Sequence, residues 1–261
     1  MICALGLNAY AQKEIRGSIS IGGAFPIGNF ASLNYNNNPL VSDCVLFDEG
    51  EKGGAAGGLN LGYDVIIPLK NEKLDFIVAF DFHFNGLNDN ASSYLDEIGQ
   101  YLVDNSAQLL INAGASQARS ECSKNSTPRY LNMPLLAGVR YTIPFSNGIS
   151  FYADGGVGYN FRNISPLRLT LRNDYVYNGI MYKETMKMTN TYSTSGSIAL
   201  RLGAGLIVKN NISFSAYYYY LGSANVSVQS RIEADGGTQT QTYHNGTIYP
   251  MVFVLRLGYT F

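Results

Sequence analysis

The chain lacks any uninterrupted apolar run of the roughly 18–20 residues that a membrane-crossing helix requires, so a helical membrane protein is excluded. It is poor in charge, with Asp, Glu, Lys and Arg making up 14% of the residues, where an ordinary globular chain carries about 25%. A formal net charge of −1 gives no basis for a nucleic-acid partner. Two histidines and three cysteines form no cluster with metal-ligand spacing, and neither a phosphate-cradling loop nor a Gly-x-Ser-x-Gly turn occurs. No motif therefore points to a metal, a cofactor or an enzyme. Tryptophan is absent, which leaves tyrosine to supply any aromatic belt at a membrane interface.

What is present is glycine (28), tyrosine (20) and phenylalanine (13), at a mean hydropathy of −0.03. That average hides an alternation. In the last stretch, Tyr249, Met251, Phe253, Leu255, Leu257, Tyr259 and Phe261 fall on one face of a two-residue period. Pro250, Val252, Val254, Arg256, Gly258 and Thr260 fall on the other. A soluble sheet would not turn the face that carries Arg256 toward its core, so the apolar face must meet a solvent that is itself oily. Lipid against the apolar face explains both sets, and a terminal aromatic suits a closing strand at the membrane interface.

Seven further segments repeat the pattern: Ile15–Ile27, Gly57–Leu69, Leu74–Asn85, Tyr130–Ile143, Ser150–Phe161, Ser195–Val208 and Ile212–Tyr220. The third is the cleanest. Leu74, Phe76, Val78, Phe80, Phe82 and Phe84 point one way, and Asp75, Ala79, Asp81, His83 and Asn85 the other. The connections alternate too: tight polar turns at 70–73, 146–148 and 209–211 separate long links at 31–56, 86–129, 162–192 and 222–247. The spacing thus predicts an all-β fold, an eight-stranded antiparallel up-and-down transmembrane β-barrel with short periplasmic turns and long extracellular loops, in the cell outer membrane. Outer-membrane lipids are its surroundings. Residues 1–11, ending Ala9-Tyr10-Ala11, read as a truncated signal peptide, and 12–261 as the barrel domain.

An eight-stranded barrel is just wide enough for its interior side chains. The inward charges balance: Arg16, Arg140, Arg201 and Arg256 against Asp64, Asp75, Asp81 and Asp154, with His83 among them. We expect an ion-paired, packed lumen, with Arg140 opposite Tyr152 and diagonal to Asp154, and Arg201 opposite Tyr219. Cys44 and Cys122 lie on links of the same outer face and are open to two readings, a disulfide or two free thiols. Tyr94, Ile98, Tyr101 and Leu102 recur at helical spacing and predict a short helix on the rim. The Asn-, Ser-, Thr-, Gly- and Tyr-rich remainder reads as solvated loop.

The opening strand, Ile21-Gly22-Gly23-Ala24-Phe25-Pro26-Ile27-Gly28-Asn29-Phe30, and the closing Arg256-Leu257-Gly258-Tyr259-Thr260-Phe261 resemble the outer-membrane β-barrel domain family, the small porin-like barrels of Gram-negative bacteria. The resemblance implies the fold, the location and assembly by the barrel insertion machinery, with Tyr259 and Phe261 in the assembly signal. It implies no reaction. The expected function is structural or surface-binding, toward an unknown extracellular ligand. The alternatives are a narrow porin or transporter of small solutes, a hydrolase using His83 and Asp81, and a soluble lipocalin-like barrel.

Overall fold

The computed structural model describes residues 14–32, 53–71 and 73–261. Eight strands close a barrel: β1 (Arg16–Ile27), β2 (Ala55–Pro68), β3 (Leu74–Leu87), β5 (Tyr130–Ser146), β6 (Ile149–Ile164), β9 (Ser197–Val208), β10 (Ile212–Tyr220) and β13 (Met251–Thr260). Their order around the wall is β1-β13-β10-β9-β6-β5-β3-β2, every neighbour antiparallel. These are the eight segments that the alternation marks. Closure pairs Ser18 with Thr260, and beyond it Gly17 and Phe261 exchange backbone hydrogen bonds of 3.1 and 2.9 Å.

Turn chemistry sets the register. Asn147-Gly148 joins β5 to β6 with Gly148 at φ +80°, and Lys209 and Asn210 take φ of 51° and 63° between β9 and β10, the left-handed geometry that tight hairpins need. The β5–β6 register shifts between Pro144 and Ser146, so one residue of β5 bulges. The turn pair Ser146–Ile149 alone would set Arg140 opposite Gly155; the bulge moves it to Asp154, so the expected opposition of Arg140 to Tyr152 is corrected, and Tyr152 faces Thr142. Arg201 does face Tyr219.

Three of the long outer links are themselves folded. They contain α1 (Asp89–Asn112), β4 (Gln117–Ser126), β7 (Leu167–Tyr177), β8 (Ile180–Thr194), β11 (Ala224–Ala234) and β12 (Gly237–Ile248). The five strands form a second antiparallel sheet, ordered β12-β11-β8-β7-β4. Each is continuous in sequence with a barrel strand (β4 with β5, β7 with β6, β8 with β9, β11 with β10, β12 with β13), and the two orders coincide. The upper sheet is therefore one side of the barrel wall carried outward. Pro128, Pro166 and Pro250 sit in three of the breaks, where the missing amide hydrogen interrupts the ladder, and Gly222 at φ +72° sits in a fourth.

The helix covers part of the inner face of this sheet. Asn88 caps it, accepting from Ala91 N at 2.9 Å while its own amide donates to Ala31 O at 2.7 Å, which ties the helix start to the barrel rim. Ala91, Tyr94, Leu95 and Ile98 are buried with Phe30, Tyr130, Leu167, Leu169, Tyr192, Val226 and Val228 in one apolar layer. That layer caps the outer mouth of the barrel. The helix runs 24 residues, well beyond the short one that the spacing of Tyr94 to Leu102 predicts.

Candidate functional site

Alternation sends every second barrel side chain inward, and the inward set meets as a plug. Arg201 is fully buried on β9 and reaches Asp64 (3.0 Å), Asp154 (3.4 Å) and Asp81 (3.5 Å). Arg140 binds Asp154 at 2.7 Å and Asp64 at 3.2 Å. Arg256 binds Asp81 at 2.8 Å. Each carboxylate thus serves two guanidiniums, the condition under which buried charge is tolerable. Arg16 and Asp75, 3.4 Å apart, form a separate pair nearer the periplasmic end, beside a vestibule of about 290 Å³ that also reaches Arg140.

Tyrosines knit the plug together. Tyr217 donates to Asp154 at 3.0 Å, Tyr219 donates to Asp81 at 2.8 Å, and Tyr152 and Tyr217 share a hydrogen bond of 3.1 Å. The guanidiniums of Arg140 and Arg256 lie over the Tyr152 and Tyr217 rings, at 4.2 and 4.0 Å from their centres. Glycine makes the room. A methyl at Gly62 would stand 2.5 Å from Asp81 Oδ1 and 2.6 Å from Ser20 Oγ, and one at Gly203 would enter the Tyr217 ring.

Above the plug, Asn60, His83, Asn132 and Arg162 are register partners in sequence across β2, β3, β5 and β6. Arg162 Nε donates to Asn132 Oδ1 at 2.8 Å, and His83 Nδ1 lies 3.3 Å from Asn60 Nδ2. His83 therefore joins the lumen through an amide, while Asp81 is engaged by Arg256 and Tyr219; the histidine is buried against the Tyr219 ring. An Asp81–His83 acid-base pair open to substrate is not what this geometry provides. Arg162 lies one residue past the segment that the sequence delimits, but the parity of Tyr152, Asp154 and Asn160 runs straight on to it. Its second Nη and Asn160 each donate to Leu221 O, at 2.9 and 3.3 Å, capping a carbonyl that the break before β11 frees from the ladder.

The outer wall is of opposite character. Ile19, Ile21, Val139, Val157, Leu202, Phe214, Leu255 and Leu257 are each about half exposed and follow one another around the barrel, with Tyr63, Tyr141, Tyr159 and Tyr259 among them. A water-facing wall does not look like this, and a closed barrel has no unpaired strand edge to satisfy in lipid. The protein is a transmembrane β-barrel. Among the described residues no helix is long and apolar enough to cross a membrane.

No protein-family model and no curated protein matches this barrel. Among solved structures, it is similar to Neisserial surface protein A, with 11% identity, 94% of this chain and 95% of that one covered, and a TM-score of 0.43. A major outer membrane protein from Thermus thermophilus gives 12%, 95%, 100% and 0.42 in the same order. The attachment invasion locus protein Ail of Yersinia pestis gives 15%, 95%, 100% and 0.35.

The remaining candidate residues are spread out. Tyr259 and Phe261 project outward at the periplasmic end, exposed on the closing strand. Cys122 lies on β4 facing α1, its Sγ 3.6 Å from where a methyl on Gly99 would be. Burial pushes its thiol pKa up, partly offset by Lys124. Cys44 lies outside the described residues, so the structure leaves both readings of the cysteines open.

Proposed function

We propose that this outer-membrane barrel is a surface-binding protein and not a channel or an enzyme: the plugged barrel is the anchor, and the upper sheet with α1 is the binding part, turned to an extracellular ligand. Tyr259 and Phe261 serve its assembly by the insertion machinery. The observation that carries the reading is Arg201, fully buried in mid-lumen and held by carboxylates from β2, β3 and β6. Moving it aside to pass a solute would strip a charge of its partners, at several kcal/mol per ion. The folded upper sheet, by contrast, is a rigid surface held clear of the membrane, the kind of scaffold on which binding residues keep their geometry. Liposome swelling in arabinose tests this. Vesicles carrying the protein should swell no faster than empty ones; swelling in proportion to protein would make it a narrow porin and end the anchor reading.

A further inference from the structure

The upper sheet has two unlike faces. Outward it carries Arg119, Glu121, Arg172, Asp174 and Lys183. Inward, beyond the part covered by α1, Leu171, Met186, Met188 and Ile232 form an apolar floor, walled on one side by Leu102 and Leu109 of the helix. The turn between β11 and β12 raises the other wall. The resulting groove encloses about 910 Å³, within the range of about 300–1,000 Å³ usual for small-molecule sites.

We propose that this groove binds one uncharged aliphatic molecule, taken from the aqueous side. The proposal rests on the surface-binding reading and names its ligand class. Charge complementarity carries it: among the described residues no Asp, Glu, Lys, Arg or His lines the groove, although the opposite face of the same sheet is studded with charge. An ionic ligand would lose its hydration with nothing in return. The polar side chains of the lining, Asn105, Ser106, Thr238 and Gln239, are all uncharged and suit a hydroxyl or carbonyl terminus on the ligand. The groove stands outward of the barrel wall, which favours an occupant from the aqueous side over the bilayer: Met188 is six residues outward of Thr194, where β8 meets the barrel, or ~20 Å along the strand at about 3.3 Å per residue. Two methionines in the floor let it adapt to chains of different shape.

The experiment uses the full chain in lipid nanodiscs, with empty nanodiscs as reference. The probe is the uncharged fluorophore N-phenyl-1-naphthylamine, displaced by 1-decanol. One saturable site per chain, displaced by decanol, is expected above the background partitioning. Met186→Asp and Ile232→Asp should each weaken it at least tenfold, and Arg172→Ala, on the other face, should leave it unchanged. A second readout needs no floor variant: in Cys3→Ser, Cys44→Ser protein, decanol should slow maleimide labelling of Cys122, which also lines the groove. No saturable site, or no protection of Cys122, overturns the proposal. So does a particle mass of two chains joined through this groove, which would give it to a second copy. Failure here with vesicles that do not swell removes the ligand class and leaves the anchor reading intact; swelling vesicles remove the anchor reading itself.

Discussion

Arg201 Nη1 lies 3.0 Å from Asp64 Oδ1, although the two residues are 137 positions apart and their strands, β9 and β2, stand on opposite sides of the barrel. A single side-chain pair therefore spans the lumen. Removing one member should cost more than the pair contributes, because the other charge stays buried with one partner fewer and the network's charge no longer balances. Asp64→Asn is expected to lower stability by about 3–5 kcal/mol, read as the urea midpoint of the heat-modifiable gel band. Arg201→Met should cost as much or more, since it takes one of two guanidiniums from each of three buried carboxylates. The double variant should cost less than the sum, a coupling that two independent sites would not show.

The glycines beneath the plug are expected to be intolerant for a different reason. Gly203→Val drives a branched side chain into the Tyr217 ring, and Gly62→Val into the Asp81–Arg256 pair. Overpacking of this kind costs about 1–3 kcal/mol. Gly236→Val, where nothing lies within 4 Å, should leave the unfolding midpoint of the barrel unchanged.

The upper sheet should be separable from the barrel. Asn178 at φ 51° and Gly179 at φ 80° form the two-residue turn between β7 and β8. Replacing both with Ala forces two side chains into the left-handed region, at roughly 1–2 kcal/mol each. Proteolysis near this turn should accelerate, while gel migration of the unboiled barrel stays unchanged. Loss of the folded band would mean that the upper sheet and the barrel fold as one unit.

Cys122 gives a pH-dependent readout. Burial raises its pKa, so the thiol stays protonated, and unreactive, over more of the alkaline range. In Cys3→Ser, Cys44→Ser protein, iodoacetamide labelling should reach its half-maximal rate above pH 9.0, the unshifted value. A midpoint below 9.0 would show that Lys124 outweighs burial.

The barrel was legible because lipid outside and charge inside impose opposite demands on alternate residues, so Phe76 and Asp75 announce their faces locally. The plug's partners were less so. Asp154 is the neighbour of Arg140 that the sequence suggests, but its place directly opposite and not diagonal depends on one bulged residue between Pro144 and Ser146, which composition does not mark. Arg162 carries the same parity as Tyr152, Asp154 and Asn160, one residue beyond the end of the fifth alternating segment. The upper sheet left a clear trace in Asn178-Gly179 and Asp235-Gly236, each flanked by strand-like residues, the same dipeptide signal that marks the Asn147-Gly148 hairpin. Its strands are polar on the outward face and sit far from lipid, so they lack the hydrophobic contrast that makes the barrel strands obvious. The groove could not be read at all, since Leu109, Met188 and Ile232 meet only in three dimensions.

The most direct test of the plugged anchor is single-channel recording of the folded protein in planar bilayers, beside Arg201→Ser. The wild-type barrel should give no steps, and the variant, with the bridge from β9 to β2 removed, brief ones. Regular steps from the wild-type protein would contradict the account and make the lumen a path.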